Sequence, residues 1–228
     1  MISRIERWAP IAGILFVVCM VVGSKLLGDV PSPNAPQHEI VSYLADSAKH
    51  TRNIIGAYLW TVGPLAFLLF LTRLRNDLRR AEGGTGYLSK LAFGAGVAFT
   101  AVWMASAADF AAVANAIALR HAPVSDVDLV RVLPPMGRLL LLLGGGFAGS
   151  LLLLAASAVI FRTGVFPRWL AWLGIVAAIV LLFDVIYLDI FPFWVWVGIA
   201  SIVMLVRRGE TATTRLSVRP AEPAATAV

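Results

Sequence analysis

Residues 91–110 read LAFGAGVAFTAVWMASAADF. Until Asp109 the run carries no charge, and Gly, Ala, Ser and Thr recur throughout it. As a helix, about 20 such residues cross the ~30 Å hydrocarbon core of a bilayer. The surrounding stretch, residues 90–121, starts on Lys90 and ends in polar residues: Asp109, Asn115, Arg120 and His121. A membrane-crossing helix with polar groups at one end is the reading that decides the fold.

Working outward, five further runs have the same character: 9–27, 54–74, 139–161, 169–187 and 191–206. The last is the shortest, at ~16 residues against a usual minimum of ~17. The expectation is an all-α, six-transmembrane-helix bundle over residues 1–208. Composition agrees. Only 14% of the 228 residues are charged and 59% are hydrophobic, where a soluble domain carries about 25% charged residues. Mean hydropathy is +0.83. The net charge of +6 does not indicate nucleic acid, because the cations sit at the ends of apolar runs and form no continuous patch. The single cysteine, Cys19, excludes an intrachain disulfide. Arginine outnumbers lysine, which occurs only as Lys25, Lys49 and Lys90, and alanine is abundant. That composition suits a bacterial chain from a GC-rich genome.

Orientation follows from the cations in the connections. The N-terminus, the 73–90 connection, the 162–168 connection and the tail hold thirteen Lys and Arg, against six on the other side. Both termini are therefore expected in the cytoplasm of a bacterial inner-membrane protein. Trp8, Tyr87, Trp169 and Trp172 are expected at the inner interface, and Tyr58, Trp60, Tyr187 and Trp194 at the outer one. Trp196, near the start of the last run, also suits an interface. No small-x-small cleavage site follows the first run, so it is kept as an anchor.

The two long outer connections are each expected to carry a short interfacial helix. In the first, Asn34 is a candidate cap, with Pro36 in the first turn. Ile40, Val41, Tyr43, Leu44 and Ala48 then recur at helical spacing; the same residues also suit an outward extension of the second span. In the second, Ser125, Asp126 and Asp128 open a helix that Pro134 and Pro135 are expected to end. Pro64 should kink the second span. Gly83, Gly84 and Gly86 read as the flexible part of the basic inner connection. Residues 209–228 lack an apolar period and read as a disordered cytoplasmic tail.

Charges inside spans are costly, at ~2.5–3.5 kcal/mol at a helix centre. Four such residues call for a reason: Lys25, Asp109, Arg138 and Asp184. Measured from their inner anchors at ~1.5 Å per residue, all four fall in or beside the outer third of the core. The small-residue face of Asp109 (Ala95, Ala98, Val102, Ala105, Ser106, Ala112) points it into the bundle. Arg138 shares a face with Leu142, Gly145, Gly149 and Ala156. Lys25 has a lipid-like face behind it and is expected to snorkel to the headgroups. These four residues are the candidates for an outward-facing ligand or partner site, or for a structural ion pair between the third and fourth spans.

Other chemistry lacks its motifs. His38, His50 and His121 all lie outside the spans and form no His-Glu-x-x-His pattern, so neither zinc nor haem is expected. Gly144–Gly146 is not followed by the Lys-Ser/Thr of a phosphate loop and reads as a tight helix contact, with Gly145 and Gly149 four apart. Ser150 has no membrane histidine to activate it. The chain is expected to hold no cofactor and to be non-enzymatic. Its partners are the lipid bilayer and a small ligand or a membrane protein, with no nucleic acid. A small secondary transporter or proton-coupled permease titrating on Asp109 and Asp184 is the alternative, although Pro64 has no matching break in the other half. An intramembrane enzyme ranks third.

The segment from Arg162 to Gly174, RTGVFPRWLAWLG, resembles the inner hairpin turn of small six-span integral membrane proteins of actinobacteria, a domain-of-unknown-function type. The resemblance implies a multi-pass protein of the bacterial inner membrane and brings no catalytic or binding residues with it. The turn also has local physical reasons: Gly and Pro break the helix, Arg anchors it, and Trp sits at the interface.

Overall fold

The computed structural model describes residues 2–27, 34–120, 127–183 and 190–217, and every regular element among them is helical. In chain order these are α1 (Ile2–Leu27), α2 (Gln37–Ala45), α3 (Ser47–Glu82), α4 (Tyr87–Arg120) and α5 (Val127–Leu140). A π-helical turn, Leu141–Gly145, follows, then α6 (Gly146–Thr163), α7 (Arg168–Leu182) and α8 (Phe191–Ser217). Four stretches are long and apolar enough to cross a membrane: Trp8–Leu27, Thr51–Glu82, Tyr87–Ala112 and Arg131–Thr163. On that ground the chain is a membrane protein. Two further apolar stretches, Arg168–Leu182 and Phe191–Arg207, are shorter.

The helices form a closed ring. α1 packs on α3, α3 on α4, α4 on α6, α6 on α7, α7 on α8, and α8 returns to α1. The interior is filled by aromatic rings. Phe16 of α1 meets Phe67 of α3 at 5.1 Å between centroids, and Phe67 meets Phe99 of α4 at 5.8 Å. Phe193 of α8 closes the cluster on Phe99 at 4.4 Å. Such pairs add ~0.5–1.5 kcal/mol each beyond the area they bury.

The α1–α3 seam explains why small residues recur on these helices. A methyl group at position 56 would lie 2.7 Å from the Leu27 nitrogen and 2.9 Å from the Gly23 carbonyl oxygen. The two backbones thus touch, which only glycine permits. The seam is also tied by polar groups. The Trp60 indole donates to Met20 O at 3.3 Å and Ser24 Oγ at 3.2 Å. Arg52 Nε and Asn53 Nδ2 donate to Leu26 O and Leu27 O. Side chains of α3 therefore satisfy the orphan carbonyls at the end of α1.

Several expectations need correction. Pro134 and Pro135 do not end a helix. α5 runs through both and continues by the π turn into α6, because neighbouring helices can re-satisfy the backbone groups that proline frees. α2 starts at Gln37 with Pro36 at the cap position, not Asn34. It is separate from α3: Asp46 ends α2, and its Oδ1 caps α3 by accepting from Ala48 N (3.0 Å) and Lys49 N (3.2 Å). The glycines between α3 and α4 lie in a hydrogen-bonded turn, with Gly86 N donating to Gly83 O at 3.1 Å. Glu82 accepts from Leu88 N and Ser89 N at 2.9 Å each, capping α4, and Ser89 Oγ donates to Gly86 O at 2.9 Å. Trp194 and Trp196 are buried in the bundle, at 8% and 0% exposure; the Trp196 indole donates to Leu170 O at 3.0 Å. Trp60 is likewise half-buried in the α1–α3 seam. Trp8, Tyr58, Tyr87, Trp169 and Trp172 are exposed. α8 extends to Ser217, beyond the apolar run, since the first proline after it is Pro220.

Candidate functional site

The C-terminal end of α4 is met by α5. The contact is made at Gly137, where a methyl group would lie 2.9 Å from Asp109 Cβ and 3.1 Å from Ser106 O. The Ser106 hydroxyl donates to Gly137 O at 2.8 Å within the buried interface. Both helices contribute a small residue here, so their backbones come close and Asp109 is pressed against α5.

Asp109 is half-buried, and its direction differs from the expectation. Of the face assigned to it, Ala95 and Ser106 are buried but Ala98 and Ala105 are exposed. The bundle centre is reached instead by Phe99 and Trp103, both essentially fully buried. Large rings fill the wide middle of a ring of helices, while small residues serve the flanks where helices touch. Asp109 therefore lies on a flank of α4 and faces α5, not the centre.

Arg138 follows Gly137 directly and is half-buried. It is engaged in an interaction of its own, but no ion pair within 4 Å joins it to Asp109 among the described residues. Lys25 is exposed in the last turn of α1. Asp184 lies outside the described residues. Of the four candidates, Asp109 and Arg138 are thus brought to one helix pair; Lys25 stands on a different helix.

Three residues beyond Arg138 the helix widens into the π turn. The Gly146 N–H there is shared among Leu141 O, Leu142 O and Leu143 O. Val102 of α4 packs on Gly144, whose methyl-substituted form would meet Val102 Cγ1 at 3.1 Å. Gly146 and Gly149 pack on Leu181 of α7, and Ser150 Oγ donates to Ala178 O at 2.9 Å. Ser150 is an interhelical tie.

Below Asp109, about 9 Å down α4 at ~1.5 Å per residue, lies Trp103. Its ring packs on Trp60 (5.1 Å) and on Trp194 of α8 (6.0 Å), and Trp60 in turn meets Phe110 at 5.5 Å. The Nε1 atoms of both Trp103 and Trp194 are buried without an acceptor. A buried donor left unpaired costs ~1–3 kcal/mol. Hydrophobic periodicity has no means of finding this pair, because it treats tryptophan as an apolar or interfacial residue and is blind to its N–H.

Outside the spans, burial raises the pKa of Tyr43 of α2, against the opposing effects of Arg52 and Asn53. Asp46 is held below the ordinary carboxylate range, first by the Lys49 N–H and further by the Lys49 charge and the Ala48 N–H, against a smaller desolvation. Among the described residues, no three His, Cys, Asp or Glu side chains come close enough to share a metal ion. The arrangement at α4–α5 can offer a carboxylate and a guanidinium on one helix pair. No family model, curated protein or solved structure matches the chain.

Proposed function

We propose that this chain is a six-span protein of the bacterial cytoplasmic membrane, with both termini inside. In this reading it binds a small polar ligand or a membrane partner at its outer end, without chemical turnover. The six-span count is supported by the ring. α7 and the apolar part of α8, Phe191–Arg207, are too short to be assigned as spans by length, yet the two helices occupy the places that close α6 back onto α1. The binding reading is carried by the contact of α5 with α4 at Gly137. It sets an anionic and a cationic residue on one helix pair, where each can offset the cost of the other's charge.

The test is a thermal-shift screen of the purified chain against small carboxylates, amines and zwitterions, run beside Asp109→Asn and Arg138→Gln. A compound that stabilises the native chain and loses its effect in both variants is expected. A response unchanged in both variants overturns the assignment of the site.

The transporter reading gains one observation. The π turn breaks the helix that leads from Arg138 into α6, and π turns are frequent at functional sites. With Pro64 in α3, two helices flanking α4 now carry irregularities. Proteoliposomes loaded with a pH dye distinguish the readings: a substrate-driven proton flux abolished by Asp109→Asn favours transport.

A further inference from the structure

In the ring of helices α4 and α8 stand opposite each other, and their tryptophans, Trp103 and Trp194, meet in the middle at 6.0 Å between centroids. Two other indoles inside the bundle find backbone carbonyls: Trp60 donates to Met20 O and Trp196 to Leu170 O. Trp103 and Trp194 have no acceptor among the described residues, although their exposure is only 0% and 8%. The two orphan donors are thus on the two rings that touch.

Filling the core does not require them. One layer away the same interior is closed by phenylalanines, Phe99 on Phe193, which leave no donor to satisfy. On the other side of the pair α4 turns Ala107 and Ala111 inwards, both buried. At that level α4 presents only methyl groups to the centre, so a small guest beside the indoles meets no large side chain from this helix.

An indole N–H donates and cannot accept, so an occupant must bring a lone pair. The rings packed around the pair, Trp60 and Phe99 on Trp103 and Phe110 on Trp60, are uncharged. The Asp109 carboxylate stands about 9 Å further along α4. An anion at this place would be desolvated and repelled. We propose that Trp103 and Trp194 are the donors of a binding site, in the middle of the ring, for a neutral oxygen acceptor. That oxygen is supplied by water or by the carbonyl group of a small apolar molecule. The site does not depend on ligand binding at Asp109 and Arg138, nor on the number of spans.

Ultraviolet resonance Raman spectra of the full chain in detergent test this, because an indole N–H band moves when the N–H is hydrogen-bonded. Difference spectra against Trp103→Phe, Trp194→Phe and Trp196→Phe isolate one indole each, with the bonded Trp196 as reference. Trp103 and Trp194 should show the bonded signature. The first two variants report independently, so a failure of one to fold leaves the other to decide. If the acceptor is water, both N–H groups should exchange in heavy water about ten-fold faster than that of Trp196. If it is a carbonyl compound, exhaustive detergent washing should move both bands to the free position, and cyclohexanone but not cyclohexane should return them. Free bands in the chain as purified that also stay free with cyclohexanone overturn the proposal. A bonded band that answers neither to heavy water nor to washing does the same. So does a bonded band that becomes free in Asp184→Ala or Asp189→Ala, because the acceptor then belongs to the chain itself.

Discussion

At the residue scale, most of the specificity of this bundle rests on where a side chain is missing. Gly56 and Gly94 both lie within apolar helices and look alike in sequence. A methyl group at 56 would strike the backbone of α1, whereas one at 94 meets nothing within 4 Å. Replacing glycine by alanine inside a helix is worth ~1 kcal/mol in propensity, and overpacking against backbone costs ~1–3 kcal/mol. Gly56→Ala should therefore be destabilising and Gly94→Ala neutral or stabilising, as read by thermal unfolding in one detergent. An equal response would mean that the seam yields more readily than its backbone contacts imply. The tryptophans carry the same lesson. Trp172 and Trp196 are both flanked by apolar residues, and one is 62% exposed while the other is buried. Type and neighbours do not separate them. The difference is set by which helix face turns inwards, and in a membrane both faces of a helix are apolar. For the same reason, spacing shows the polar character of the end of α4 but not which neighbouring helix Asp109 meets.

At the element scale, the chain's breaks are decided by specific hydrogen bonds more than by propensity. The glycines at 83–86 mark a turn in the sequence, but nothing there reveals that Glu82 reaches forward to cap α4. Removing that carboxylate with Glu82→Ala deletes two charge-assisted bonds and should cost about 1 kcal/mol or somewhat more. Glu82→Gln, which keeps one acceptor oxygen, should cost less. Amide exchange at Leu88 and Ser89 reads both, and unchanged protection in the alanine variant would deny the cap. The Asp46 cap also gives a pH dependence. Its pKa is lowered in the folded chain, so the charged form is the one that folding favours. The cap's contribution is fully present above the ordinary carboxylate pKa of ~3.9. It is lost as pH falls from there through the lower folded value. Exchange at Ala48 and Lys49, corrected for intrinsic rates, should be steady from neutral pH to about 5 and rise below about 4. Asp46→Asn should remove that pH dependence. At the same scale, Pro134 and Pro135 show the limit of reading breakers. In water a proline pair inside an apolar pattern would end the helix, whereas in a bundle other groups take over the freed carbonyls.

For the whole molecule, counting apolar runs reaches an all-helical bundle, and the packing of the helices adds the closed ring. Six apolar runs predict six helices, but their cyclic order, each neighbour in sequence being a neighbour in space, is set by the short connections. The closing contact of α8 on α1 is long-range and comes from packing. Position 13 shows this: a side chain there would run into Ser201 and Phe70. The span count turns on α7 and α8. α7 has 15 residues, or ~22 Å of helix, short of a ~30 Å core. Two arrangements are physically open: a thinned bilayer around a six-span bundle, or four spans with α7 and α8 lodged at one face. They differ in where the α7–α8 connection emerges. Single cysteines at Phe183 and Phe191, both strongly exposed, separate them when placed in a Cys19→Ser background and probed with a membrane-impermeant maleimide on intact cells. The six-span arrangement predicts labelling from outside at both positions and at Glu39→Cys, and protection at Thr85→Cys and Val165→Cys. In the four-span arrangement Phe183→Cys and Phe191→Cys share the protection of Val165→Cys, because without α7 crossing nothing carries them to the other side. An inverted orientation would exchange labelling and protection throughout, so that each of the four topologies leaves a different pattern on the same five variants.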